Sequence, residues 1–178
     1  KTVFYAMMYG AGAAKITDNI MSDEDYKGPP VRVDMVQRII LGVFKSFPKI
    51  QPWRDRQLTI AKQTRETRSA MHGRRRSFPL GDADATILFN HPVQATAADL
   101  VNEAMLAIYR GLADVDPEAA IIMQVHDAIY VECRAEKADA VKKLMETAMT
   151  RTLVLVPGAV AMPFVASAKS GATWADLG

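Results

Sequence analysis

The alternation of apolar and polar residues changes period several times along this chain, and each change marks an element. Residues 1–12 read as the end of a helix stopped by Gly10 and Gly12. Residues 22–30 are polar and close on Gly28, Pro29 and Pro30, a loop pattern. Asp34 then stands as the cap of a helix carrying Met35, Val36, Ile39, Ile40, Val43, Phe44 and Phe47 on one side. Pro48 and Pro52 interrupt it, and a mostly polar helix is expected over residues 53–68. Residues 69–78 predict a short hairpin turning at Gly73, and residues 81–85 a turn. A long helix is expected over residues 92–112, striped by Val93, Ala97, Leu100, Val101, Ala104, Met105 and Ile108.

Next, two runs rich in β-branched residues, Ile121-Ile122-Met123 and Ile129-Tyr130-Val131, flank Gln124-Val125-His126-Asp127-Ala128. This predicts a hairpin whose buried strands hold a polar tip in place. An amphipathic helix follows over residues 136–152, with Val141, Leu144, Met145, Ala148 and Thr152 as its stripe. Pro157 and Gly158 make a turn, and residues 162–168 a final strand. No internal repeat or low-complexity segment is present, and the mixture of elements predicts an α+β fold.

Composition narrows the class. A chain of 178 residues, 49% hydrophobic and 24% charged, suits one globular domain or one and a half. No apolar run reaches the length of a membrane span, the first residues do not resemble a signal peptide, and no membrane partner is expected. The single Cys133 excludes an internal disulfide framework and fits a reducing compartment. His72, His91 and His126 are too few and scattered to predict a zinc site. The net charge of +2 is unevenly spread: residues 54–76 carry an excess of six positive charges, leaving the remainder at −4. Such a patch fits a polyanionic partner, or else a solvated helix face.

Several residues carry candidate chemistry. Asp127, at a hairpin tip, is a carboxylate that cannot move far, as a hard divalent metal requires; the bland alternative is an exposed turn aspartate. Lys1, Tyr5 and Tyr9 recur every four residues, so a cation and two aromatics share a face able to clamp a phosphate and stack on a base or sugar. Alternatively, both tyrosines are core. Asn90 and Gln94, one turn apart, can read the acceptor-rich minor groove of a duplex or merely cap a helix. Arg74, Arg75 and Arg76 meet phosphates or blunt an edge strand.

Taken together and in order, these motifs resemble the family A DNA polymerases, related to bacterial DNA polymerase I and some phage replicative enzymes. Lys1, Tyr5, Tyr9 and Gly10, at their spacing, resemble the end of motif B on the fingers helix that binds the incoming nucleotide. Gln124-Val125-His126-Asp127 resembles motif C, the palm hairpin with a catalytic aspartate. Asn90-His91-Pro92-Val93-Gln94-Ala95-Thr96-Ala97-Ala98-Asp99 resembles the palm helix that touches the primer–template, and Ser170-Gly171-Ala172-Thr173-Trp174 the family's C-terminal ending.

The resemblance implies a palm whose antiparallel hairpin and sheet pack on helices, over residues 69–178, and the remaining part of the fingers over residues 1–68. It implies template-directed addition of deoxynucleoside triphosphates to a primer 3′ end, with two Mg²⁺ ions and Asp127 as one of their carboxylates. Lys1 would hold the triphosphate, Tyr5 would pack on the nucleotide and Tyr9 would lie near the templating base. Gly10, Asn90, Gln94 and His126 would meet the primer–template DNA, with Arg74 and Arg75 adding phosphate contacts. The setting implied is the cytoplasm of a bacterial or phage-infected cell.

Three positions depart from the usual pattern. Tyr5 stands where many members have Phe, and in this family the members with Tyr accept dideoxynucleotides more readily. Ala128 follows Asp127 where a Glu is usual, and Thr86 stands where bacterial members often have an Arg that helps hold the primer–template. Nothing resembles motif A, which brings the second metal-binding aspartate, nor the thumb or an exonuclease domain. The chain is therefore expected to be inactive alone. Lys1 then reads as a cut end or the start of one piece of a split polymerase, paired with an N-terminal part or separate chain that carries motif A. The alternative is a catalytically inactive palm-like module that grips nucleic acid or scaffolds a replisome.

Overall fold

Helix α1 (Thr2–Met8) ends in a hydrogen-bonded reversal that its glycine makes possible. The Gly10 amide donates to the Met7 carbonyl and the Ala11 amide to Ala6, both at 2.9 Å, with Gly10 at φ 94°. This is the Schellman pattern, in which the residue after the cap is left-handed. The computed structural model describes residues 2–78, 84–155 and 158–177. These fall into two compact units, one made of Lys1–Ser69 with Gly73–Gln94, the other of Ala70–His72 with Ala95–Gly178. Helices with small antiparallel sheets make the expected α+β fold.

In the first unit, α2 (Ala13–Met21) adds a helix to those the sequence pattern predicted. Its buried Ala13 and Ile16 join Met7 of α1 and Val36 and Ile40 of α3 (Val33–Ser46) in one apolar cluster. Asp34 is not the cap of α3. Arg32 holds that position, and Asp34 lies in the first turn, bound to the Arg32 and Arg38 guanidinium groups at 3.0 and 3.3 Å. There its charge still favours the positive end of the helix dipole. Of the predicted stripe, Val36 and Ile40 are buried, whereas Met35, Ile39 and Phe47 are exposed.

Helix α4 (Ile50–Thr64) contains Pro52 instead of starting after it. In the first turn a proline sacrifices only an amide that has no intrahelical acceptor. The helix stops at Thr64, and residues 66–68, expected as helix, form β1 (Glu66–Arg68). It pairs with β2 (Arg75–Ser77) in a hairpin whose turn holds Gly73 at φ 63°, as expected.

Helix α5 (Ala85–Val115) begins seven residues before Pro92, so this proline neither starts nor ends it. An internal proline costs about 3 kcal/mol. Burial of Leu88 and Phe89 with Ala61, packed with Trp53, Leu58 and Phe78, offsets that cost. The predicted stripe holds from Val101 onward, but Val93 and Ala97 are exposed. The expected turn over residues 81–85 lies mostly outside the described residues.

Close approach makes Gly10 sensitive. A Cβ there would sit 3.0 Å from Cδ2 of the buried Phe89 ring, at a φ that side chains rarely adopt. Gly10→Ala should cost about 1–3 kcal/mol of stability, read as a lower urea midpoint at unchanged slope. A midpoint equal to the parent's would show that Gly10 relaxes freely.

The second unit packs the later part of α5 against β4 (Ala128–Glu132) and α6 (Ala138–Met149), with Val101, Ala104, Ile108, Leu112, Ile129 and Val141 as its core. A 3₁₀ turn, Ala135–Lys137, precedes α6, and the helix ends before Thr152. Thr152 lies instead in β5 (Arg151–Leu153), paired with β6 (Met162–Phe164). The final strand is thus shorter than expected. Of the predicted turn, Pro157 lies outside the described residues, while Gly158 has φ 77°. No helix among the described residues is long and apolar enough to cross a membrane.

Candidate functional site

In the first unit the candidate residues gather around the end of α1 and the start of α5. Tyr5 is half exposed, and Tyr9 follows one turn later, its amide donating to the Tyr5 carbonyl at 3.0 Å. Lys1 lies outside the described residues. The Tyr5 ring meets Phe4 edge-on at 6.0 Å, and Phe4 meets Phe47 in the same way at 6.3 Å. Gln94 Nε2 donates to Tyr9 Oη at 3.0 Å, which joins two of the predicted residues directly. Neither tyrosine is buried core.

Asn90 and Gln94 lie well inside α5 and do not cap it. With Arg76, Thr86, Ile87 and His91 they line an open cleft of about 150 Å³. Asn90 Oδ1 is buried without a hydrogen-bond partner among the described residues. A buried acceptor left unpaired costs about 1–3 kcal/mol, the pattern of a group that awaits a donor. His91 Nε2 donates to the Arg74 carbonyl at 3.2 Å and so ties α5 to the hairpin turn.

The basic segment is less uniform than its charge count. Arg54 packs its guanidinium over the Phe89 ring at 4.5 Å, and desolvation there pushes its pKa down. It belongs to the packing around Phe89, not to a solvated face. Glu66 accepts from Arg68 at 2.9 Å and Arg75 at 3.3 Å. Arg74, Arg75 and Arg76 are all exposed.

In the second unit, β3 (Ala120–Val125) and β4 form a two-stranded antiparallel sheet. Val125 pairs with Ala128, so His126 and Asp127 are the two turn residues. His126 has φ 53°, and its carbonyl accepts from Gln124 Nε2 at 3.1 Å, which braces the tip. Asp127 is exposed and has no ion-pair or hydrogen-bond partner among the described residues. The expected polar tip is present, but the expectation of buried strands fails for β3: Ile122, Met123 and Val125 are exposed. Only β4 turns a buried residue, Ile129, toward the core.

The hairpin is held at its base by residues that sequence reasoning did not single out. Asp116, fully buried, accepts from the Arg134 amide and Nε, each at 3.0 Å, and from the Glu118 amide at 3.2 Å. The Arg134 amide, then the Arg134 guanidinium and the Glu118 amide, hold the Asp116 carboxyl below its ordinary range against opposing desolvation. Cys133 alongside has its thiol pushed up by burial and by the Asp116 and Glu136 carboxylates, so it is a poor nucleophile. Glu103 accepts from His72 Nε2 at 2.7 Å and from Arg151, whose hydrogen bond keeps its carboxyl low. Tyr130 of β4 stacks on Trp174 of the predicted C-terminal motif, with centroids 4.3 Å apart.

As a hard oxygen donor on a braced turn, Asp127 suits one Mg²⁺ ligand position. Among the described residues, however, no group of three or more His, Cys, Asp or Glu gathers to hold a metal ion.

Known proteins resemble the chain over most of its length. The chain is 34% identical over 160 residues to the thermostable DNA polymerase I of Thermus filiformis, covering 83% of this chain and 18% of that protein. It is 29% identical over 157 residues to the thermostable DNA polymerase I of Thermus aquaticus, covering 84% and 17% respectively. The chain thus spans less than a fifth of the length of these relatives. In fold it is similar to the POL domain of Pol1 from M. smegmatis, solved in complex with DNA primer-template and dNTP. The TM-score is 0.69 at 20% identity, over 82% of this chain and 25% of that one. The sequence model of DNA polymerase family A matches residues 1–176, and the chain belongs to that family.

Proposed function

We propose that this chain is the fingers-and-palm portion of a template-directed DNA polymerase, and that it acts with an N-terminal part carrying the second metal-binding aspartate. The observation that carries this reading is Asp127, fixed and unpaired at the β3–β4 turn of a chain that matches the polymerase family over nearly its whole length. Residues 1–68 would be the remainder of the fingers and 69–178 the palm, although residues 73–94 cluster with the former. Action would be in the cytoplasm of a bacterial or phage-infected cell.

The chemistry is transfer of a nucleotidyl group. The primer 3′-hydroxyl attacks the α-phosphorus and pyrophosphate leaves. When bound, two Mg²⁺ ions supply charge to the attacking and leaving oxygens. The chain's own part is positional. Asp127 contributes a ligand that the braced turn keeps in place, and Lys1 an ammonium for the triphosphate. Tyr5 offers a half-exposed ring to the nucleotide, and Tyr9, hydrogen-bonded to Gln94, a ring near the templating base. Asn90, Gln94 and His126 would donate to minor-groove acceptors, which every correct pair presents alike, so shape is checked without reading sequence. Gly10 would let DNA approach closely, and Arg74 and Arg75 would face phosphates.

A partner part is supported by the sheet. Two-stranded sheets are marginal alone, and β3 exposes apolar Ile122, Met123 and Val125. A second reading, an inactive module that grips nucleic acid, is favoured by one feature: Ala128 follows Asp127 where a carboxylate is usual. Primer extension by this chain together with the N-terminal part tests the main reading, and no product with both present overturns it. In the same assay dideoxynucleotides should be accepted readily, and Tyr5→Phe should raise discrimination against them by about tenfold or more. Equal discrimination by the two would remove Tyr5 from the nucleotide site.

A further inference from the structure

We infer that Arg54 is a positioning residue for the nucleotide end of α1: its guanidinium braces the Phe89 ring on which the Gly10 reversal rests, and so sets where Tyr9 stands. The inference rests on the nucleotide-binding reading of α1 above and deepens it. Arg54, Leu58 and Ala61 fall at i, i+4 and i+7 of α4, so Arg54 lies on the stripe that this helix turns inward. A cation on such a stripe is costly to desolvate. Burial lowers the Arg54 pKa against the opposing Asp55 carboxylate, and Arg54 Nε is buried with no hydrogen-bond partner among the described residues. What the guanidinium meets instead is aromatic. Its central carbon stands 4.5 Å from the centroid of the Phe89 ring and 5.7 Å from that of Phe44.

Phe89 is the buried ring through which this contact reaches α1. The Trp53 ring tilts against it at 49°, with centroids 6.0 Å apart. Gly10 packs its backbone so closely that a Cβ there would sit 3.0 Å from Phe89 Cδ2 and 3.3 Å from Cε2. One residue earlier, Tyr9 Oη accepts from Gln94 Nε2 at 3.0 Å. Tyr9 and Gly10 are thus seated on α5 at two points, one a hydrogen bond and the other the Phe89 ring. A ring keeps its place through what packs on its face and edge. A flat cation over it is a partner of fixed geometry, which an aliphatic side chain does not supply. Loss of the guanidinium would let the ring turn, loosen the reversal at Gly10 and move the Tyr9 hydroxyl off Gln94. Asp127 belongs to the other compact unit, so the effect falls on nucleotide binding and not on the proposed metal ligand.

Two variants of the full 178-residue chain test the brace. Arg54→Leu keeps an apolar helix former on the stripe and removes the cation, while Arg54→Lys keeps a cation without the flat face. Hydrogen exchange at the Gly10 and Ala11 amides, which close the α1 reversal, should quicken about tenfold in Arg54→Leu, with α2 and α3 unchanged. Arg54→Lys should fall between Arg54→Leu and the parent. In the reconstituted polymerase, Arg54→Leu should raise the KM for deoxynucleoside triphosphates about five- to tenfold, with kcat and primer–template affinity each within about twofold of the parent. Parental exchange in Arg54→Leu, or Arg54→Lys no better than Arg54→Leu, would overturn the brace. Equal quickening through α2 and α3 would overturn it as well, since Arg54 would then serve general packing. Quickened exchange with an unchanged KM, or a fall in kcat instead, would overturn the role in nucleotide binding. Failure of the reconstituted parent to extend primers would overturn the polymerase reading beneath it, and exchange at Gly10 and Ala11 would still decide the brace.

Discussion

Asp127→Ala should lower the primer-extension rate of the reconstituted polymerase by about 10³-fold or more while leaving its affinity for primer–template within about twofold. The asymmetry between rate and binding is the informative part. Asp127 is one of two residues in a tight turn, exposed and with no partner among the described residues, so removing its carboxylate breaks no contact that holds the fold. On the proposed reading, what it removes is a metal ligand whose position the hairpin fixes through the Gln124 side chain and the Val125–Ala128 pair. A metal ligand must be correct in place as well as in kind. For that reason Asp127→Glu, which keeps the charge but moves it by a methylene, should lose nearly as much. If the alanine variant extends primers at the parental rate, Asp127 is not a ligand. The inactive-module reading, already favoured by Ala128, then replaces the polymerase reading. If rate and DNA affinity fall together, the hairpin tip serves binding and not chemistry.

How far this could be read from the sequence differs by residue, for physical reasons. The stop at Gly10, the turn at Gly73 and the His126–Asp127 tip were legible because each rests on local backbone chemistry: a positive φ or a two-residue turn between apolar runs. Boundaries decided by distant packing were not. Pro92 signals a helix start, yet burial of Leu88 and Phe89 carries α5 back to Ala85. Residues 66–68 have helical composition but become a strand by pairing with Arg75, Arg76 and Ser77. The exposure of β3 was also hidden, since β-branched runs look buried whether or not a neighbouring strand is present. At the site, the spacing of Asn90 and Gln94 was visible, but the engagement of Arg68 and Arg75 by Glu66 required the strand register. Arg54, counted with the basic run, proved to be packed on Phe89.

Asp116 gave no signal at all, because its partner lies eighteen residues away across the hairpin, and it is where the largest loss of stability is expected. Asp116→Ala should lower the thermal midpoint by roughly 5–10 °C. The carboxylate is fully buried and binds the Arg134 amide, the Arg134 guanidinium and the Glu118 amide. Its loss leaves those donors unpaired at the point where the connections into β3 and out of β4 meet. Asp116→Asn, which retains an acceptor oxygen but no charge, should fall between the alanine variant and the parent. The pH dependence follows from the same contacts. Since folding lowers the Asp116 pKa, its contribution is fully present above the ordinary carboxylate range, and it disappears as pH falls through the lower, folded value. Denaturation midpoints measured from neutral to acid pH should therefore converge for the parent and Asp116→Asn at the acid end. A difference that persists unchanged to the lowest pH would mean that packing, not the charged hydrogen bonds, holds the hairpin base. The same hairpin carries Asp127, so a weakened base should also loosen the tip: extension by the Asp116→Asn enzyme should decline at temperatures where the parent remains active, even though position 116 touches no substrate.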